Sequence, residues 1–145
     1  MKVSTSTVLD NGSSILLMLE PSEELLSEQA RIVSLLPEQV PVKELHVTLM
    51  RSAGSAKAFP SPPPFVEFDN EACLVTDGSK TSVYLRATEA SQSALADYVA
   101  SIEELLGVDG LQNKARIFHV SLSNRAGPPG ESVANVWEYQ AIPVR

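Results

Sequence analysis

Hydrophobic and polar positions change period along this chain, and the changes mark its elements. Residues 3–9 read as a strand, Asp10-Asn11-Gly12 as a turn, and Ile15-Leu16-Leu17-Met18-Leu19 as a second strand. That run is apolar on both faces, which places it inside a sheet. Glu20-Pro21 opens a helix: proline suits the first helical position, and Glu23 and Glu24 suit the positive end of the helix dipole. Leu25, Leu26, Ala30, Ile32, Val33 and Leu36 recur at helical spacing until Pro37 ends the run. A strand is expected from Val42 to Met50. Residues 52–64 carry four prolines and read as a surface loop, either a flap beside a site or a plain connection.

Three short strands follow at Phe65–Phe68, Ala72–Thr76 and Ser82–Ala87, with Asp77-Gly78 as the turn between the last two. A second helix is expected from about Ala90 to Leu106. Leu95, Tyr98, Val99, Ile102, Leu105 and Leu106 form its apolar stripe, and Gly107 is its stop. A loop over 108–114 leads to a strand from Arg116 to Ser123, a turn over Arg125–Gly130, and a closing strand over Trp137–Val144. This order predicts an α+β fold in a single domain spanning 1–145. The order also repeats: HVTLMRSAG from His46 and HVSLSNRAG from His119 align with one residue inserted in each, and each follows a helix. Two similar lobes related by a pseudo-twofold axis are implied.

Composition narrows the function classes. At 145 residues the chain can bury one core without staples. It is 43% hydrophobic and 20% charged, the balance of an ordinary globular protein. No run approaches the ~18–20 apolar residues of a membrane span, and the first residues lack a secretory pattern, so a cytoplasmic setting without membrane attachment is expected. Cys73 stands alone, which excludes an intrachain disulfide; its neighbours Ala72, Leu74 and Val75 suit a buried structural thiol. The net charge of -7 argues against tracking long nucleic acid but leaves room for a small nucleotide. Arg51, Lys57, Arg116 and Arg125 lie near the two histidine stretches in sequence, while the acidic excess lies elsewhere.

His46 and His119 are the only histidines. Strand alternation puts Leu45, Val47 and Leu49 on one face and His46, Thr48 and Met50 on the other. In the second stretch Phe118, Val120 and Leu122 share a face, opposite His119, Ser121 and Ser123. Each strand presents an imidazole and a hydroxyl two residues on. Side by side across a groove, the pair meets the needs of phosphodiester chemistry without a metal or cofactor. One neutral imidazole takes a proton from the attacking oxygen and one imidazolium protonates the leaving oxygen. Thr48 and Ser121 would donate to the nonbridging oxygens. Two histidines and Cys73 make a poor zinc set, so no metal is expected.

His46-Val47-Thr48-Leu49 and His119-Val120-Ser121-Leu122 resemble the paired H-x-[T/S]-x signature of the 2H phosphoesterase superfamily. The resemblance implies a bilobal fold in which two antiparallel sheets face a central cleft, with helices packed outside. It implies action on cyclic phosphates of RNA ends, on 2′-5′ linkages, or on cyclic signalling nucleotides. In size and layout the chain looks like the compact phage anti-CBASS nucleases. That likeness implies a cyclic oligonucleotide substrate, attack by a ribose 2′-hydroxyl on a 3′-5′ bond, and a host cytoplasm. Those nucleases carry a tyrosine on the early strand, where this chain has Ser13 and Ser14, and an acid near the C-terminus, for which Glu138 is the candidate.

Further substrate contacts are expected from Arg51 and Arg125, five and six residues beyond their histidines, where a guanidinium can hold phosphate bidentately; solvated surface arginines are the alternative. Trp137 and Tyr139 share a face across Glu138 and suit either base stacking or the core. Tyr84 shares its face with Ser82 and Arg86 and is the better stacking candidate, whereas Tyr98 lies on the helix stripe with the core. Three functions stand at this level: a phosphodiesterase for cyclic oligonucleotides, one for RNA 2′,3′-cyclic phosphates or 2′-5′ linkages, and a non-catalytic module that sequesters a nucleotide. Oligomeric state has no sequence signal.

Overall fold

The computed structural model describes residues 1–52, 58–108, 116–134, 136 and 142–144. The fold is α+β, with a large antiparallel sheet and two helices. In chain order the elements are β1 (Lys2–Val3), β2 (Thr5–Asp10), β3 (Ser14–Leu19), α1 (Glu23–Leu35), β4 (Val40–Pro41) and β5 (His46–Arg51). They continue with β6 (Val66–Asp77), β7 (Lys80–Ala87), α2 (Glu89–Leu106), β8 (His119–Asn124), a 3-10 turn over Pro129–Glu131, and β9 (Ile142–Pro143).

Hydrogen bonding joins the strands in the order β1-β6-β7-β8-β5-β3-β2, with β4 beside β8 and β9 beside β6. Two separate sheets were expected; the described strands instead form one path, joined at its centre by the antiparallel pair of β5 and β8 through Val47 and Val120. The order hairpin, helix, histidine strand occurs twice, as β2-β3-α1-β5, with the two-residue β4 inserted before β5, and as β6-β7-α2-β8. Equivalent residues meet at the joint, since Val47 and Val120 each follow a histidine. The first expected strand is split at Ser4, so that β1 pairs with β6 at one end of the path and β2 with β3 at the other.

Local chemistry sets the element boundaries. Ser22 caps α1, its hydroxyl accepting from Leu25 N at 3.1 Å. The helix therefore starts after Ser22, and Pro21 precedes the cap rather than occupying the first turn. α2 starts at Thr88, whose Oγ1 accepts from Ser91 N at 3.3 Å, and ends at Gly107, whose φ of +67° closes the last turn. The strand expected over Val42–Met50 is broken. Val42 N donates to Leu122 O at 3.0 Å and Glu44 takes φ +57°, so β5 begins at His46. The two strands expected at 65–76 are one, because a bulge between Phe68 and Ala72 absorbs the polar Asp69-Asn70-Glu71 interruption. The strand expected from Arg116 begins at His119. Of the closing strand only Ile142–Pro143 is described as strand, and residues 137–141 lie outside the described set, as do 53–57 and 109–115 of the two expected loops.

Both helices cover the apolar side of the histidine strands. Leu25 and Ile32 of α1 and Leu95, Val99 and Ile102 of α2 share one buried cluster with Val47, Leu49, Val120 and Leu122. Each such side chain stabilises the fold by roughly 1.5–3 kcal/mol. Leu26 and Leu105, placed on the helix stripes by spacing, are exposed. No described helix is long and apolar enough to cross a membrane.

Candidate active site

The two histidine strands are built alike in detail. Met18 pairs with His46 and Leu16 with Thr48; Arg86 pairs with His119 and Tyr84 with Ser121. Both ladders then slip by one residue at the same place, leaving Leu49 extra in β5 and Leu122 extra in β8. A bulge re-phases the strand, so the residue after it changes face. Alternation alone had put Met50 and Ser123 on the histidine face. The bulges turn them to the core side instead, where Met50 pairs with Ile15 and Ser123 Oγ donates to Gln39 Oε1 at 2.7 Å.

Each bulge frees a carbonyl that needs a donor. Leu122 O accepts from Gln29 Nε2 at 2.9 Å and from Val42 N. On β5, the Arg116 guanidinium donates to Thr48 O at 3.1 Å and Leu49 O at 3.4 Å. Gln29 and Arg116 thus clamp the two strands at matching points, one from α1 and one from the segment leading into β8. Sequence reading assigned neither this work, although a glutamine on the apolar stripe of α1 was a visible signal.

The imidazoles are held in matching ways. His46 Nδ1 lies 3.2 Å from Glu44 O, and His119 Nδ1 lies 3.2 Å from Ile117 O, in each case the carbonyl two residues earlier. A carbonyl only accepts, so Nδ1 carries the hydrogen and Nε2 is left with the lone pair. The strain of Glu44, a non-glycine residue at φ +57°, sits at the carbonyl that orients His46.

Both histidines and both hydroxyls line one cleft of about 350 Å³. The hairpin tip of β2 and β3 contributes Asn11, Ser13 and Ser14 to its wall, and the segment over Pro129–Ala134 contributes the other side. Ser13 and Ser14 thus border the cleft where the anti-CBASS resemblance implies a tyrosine. Asn124 shapes the second wall: its Nδ2 donates to Pro128 O and Ser132 Oγ, and its Oδ1 accepts from Ala126 N and Gly127 N. Ser82 Oγ accepts from Val133 N at 2.6 Å, tying the same wall to β7. Extending the Val47–Val120 register by one residue either way sets His46 across from Ser121 and Thr48 across from His119. Along this register each histidine faces the hydroxyl residue of the partner strand.

Burial depresses both imidazoles. His46 is lowered mainly by desolvation, against the pull of Glu44 and its carbonyl. His119 is lowered to about 4, first by desolvation and then by the charges of Arg116 and His46, against the carbonyls of Ile117 and Val133. A proton on one histidine thus disfavours a proton on the other.

The other expected residues fall into different places. Tyr84 is buried, not a free stacking surface; its ring meets His119 edge-on at 5.4 Å between centroids, and burial beside Cys73 pushes its phenol up to about 12. Arg125 borders a separate recess with Leu36, Glu38 and Leu74. Arg51 is exposed at the end of β5 and is not among the cleft-lining residues. Tyr98 is in the core with its hydroxyl on Pro60 O, and Cys73 is half-buried. Trp137, Glu138 and Tyr139 lie outside the described residues, as does Lys57. Lys80, which sequence reading passed over, does border the cleft. The alternation Lys80, Ser82, Tyr84, Arg86 was the signal that pointed to it.

Among the described lining residues there is no carboxylate, although the chain carries a net charge of -7. Among the described residues no group of three or more His, Cys, Asp or Glu gathers as a metal site. Comparison with protein-family models, curated proteins and solved structures gives no match.

Proposed function

We propose that this chain is a phosphodiesterase of the 2H type that cleaves 3′-5′ bonds of cyclic oligonucleotides by two-histidine acid–base catalysis. One observation carries the reading: two imidazoles, each anchored through Nδ1, share one cleft with two hydroxyls, and no carboxylate is among its described lining residues. The repeated hairpin, helix, histidine-strand order supports the bilobal arrangement that the resemblance implies.

His119 is the more buried of the two and has Arg116 beside it, so it stays neutral and serves as base. His46 is the more open and takes the proton first when an anion enters, so it serves as acid. Nε2 of His119 takes the proton from the ribose 2′-hydroxyl as its oxygen bonds to phosphorus. The P–O5′ bond breaks, and His46 gives its proton to the leaving oxygen. The products are a 5′-hydroxyl and a 2′,3′-cyclic phosphate, which water opens with the two roles exchanged. Thr48 and Ser121 donate to the nonbridging oxygens as charge builds there.

The test is incubation with cyclic di- and trinucleotides and with 2′,3′-cyclic nucleotides, all in EDTA, followed by analysis of product ends. Linear products ending in 2′,3′-cyclic or 3′-phosphate are expected. Turnover of 2′,3′-cyclic nucleotides alone would move the substrate to RNA ends. Loss of turnover in EDTA would contradict metal independence, and tight binding with no turnover would favour sequestration.

A further inference from the structure

We infer that Lys80 forms a second anion subsite in the cleft, one that holds a phosphate neighbouring the one undergoing cleavage. The inference rests on the phosphodiesterase reading for which phosphate reacts, but the subsite itself rests on Lys80. Register places the lysine on the reacting face. Tyr84 pairs with Ser121, and Lys80 lies four residues back along β7, on the same side as Tyr84 and Ser82. At about 3.3 Å per residue, its Cα stands ~13 Å along the strand from the level of Ser121. Its side chain recovers roughly half of that distance when it turns back over the cleft. The ammonium then stands beyond reach of a phosphate seated between His46 and His119, at the range of the next group along a nucleotide chain.

Its surroundings fit this work. Lys80 Nζ donates to Gly130 O at 3.0 Å, which joins the tip of the β6–β7 hairpin to the 3-10 turn at one end of the cleft. An ammonium has three donors, so this bond leaves two for a ligand. Asp77, its register partner, and Glu131, beside Gly130, form no ion pair with it among the described contacts. It is the one lysine or arginine among the described lining residues, in a cleft with no described carboxylate. In a protein of net charge -7, an incoming anion meets a cation there and no described carboxylate. Among the described lining residues the opposite end has no such charge: the other hairpin tip offers Asn11, Ser13 and Ser14, which suit hydroxyls and amides. The cleft is therefore polarised, with a second phosphate favoured at the Lys80 end.

Calorimetric titration of the intact protein tests this with two 2′-deoxy ligands, which lack the attacking hydroxyl: a 5′-phosphorylated dinucleotide, which has two phosphates, and the matching nucleoside monophosphate, which has one. The wild type should bind the two-phosphate ligand about tenfold tighter, the worth of a charge-assisted contact. Lys80→Gln should collapse that preference, and Lys80→Arg should restore most of it. Equal affinities in the wild type, or a preference that survives Lys80→Gln, would overturn the subsite. Binding is read without turnover, so a wild type that shows the preference yet cleaves nothing would sustain the subsite and count against catalysis.

Discussion

The two histidines differ by their surroundings rather than by their own strands. Each is followed by valine, a hydroxyl residue and leucine, and each gives Nδ1–H to the carbonyl two residues earlier. Burial, with the charge of Arg116 added to it, holds His119 down at about 4, while His46 is lowered by burial against the opposing pull of Glu44. If His119 is the base and His46 the acid, kcat/KM requires His119 neutral and His46 protonated. The rate should therefore peak on the acidic side, between about 4 and the ordinary histidine value of roughly 6.5, and fall above it. A pH profile checks this, and Arg116→Gln should raise the acid limb by removing the neighbouring charge. Stability follows the same residue. The unfolded chain takes up a proton at His119 below about 6.5, the folded chain only near 4, so stability is lost as pH falls through that window. The loss is on the order of 3 kcal/mol. His119→Gln should flatten it in urea titrations between pH 7 and 4.

At the scale of elements, the cleft depends on where strands stop alternating. The matching bulges at Leu49 and Leu122 send the next residues into the core, and Arg116 and Gln29 take up the freed carbonyls. The second wall of the cleft depends on Asn124, which is fully buried with four hydrogen bonds into the segment 126–132. Asn124→Ala orphans those groups and should cost about 3 kcal/mol, read as a lowered denaturation midpoint. Strand parity made the face shared by each histidine and its hydroxyl legible from sequence, as were both helices and the turns at Asp10–Gly12 and Asp77-Gly78. What could not be read were the consequences of pairing. A bulge is a relation between two strands, so Met50 and Ser123 were put on the wrong face. Tyr84 had polar neighbours on its own strand, but β8 buries it against His119. Arg125 follows its histidine by six residues yet leaves the cleft beyond the end of β8.

For the molecule as a whole, the arrangement is two copies of one order joined where Val47 meets Val120. That joint brings the histidine strand of each half side by side, so the proposed site draws on both halves. A complete site built across such a joint predicts that the histidines act on one bond in one step, not as two independent centres. The most direct check is kcat/KM for the substrate found by the nucleotide panel, measured in EDTA for His46→Ala, His119→Ala and the double variant. Each single variant should lose at least about 100-fold, in line with loss of one proton carrier. The double variant should lose little more than the worse single one, because groups that act as a unit are not additive. Near-wild-type activity in either single variant, or losses that multiply in the double variant, would contradict the paired mechanism.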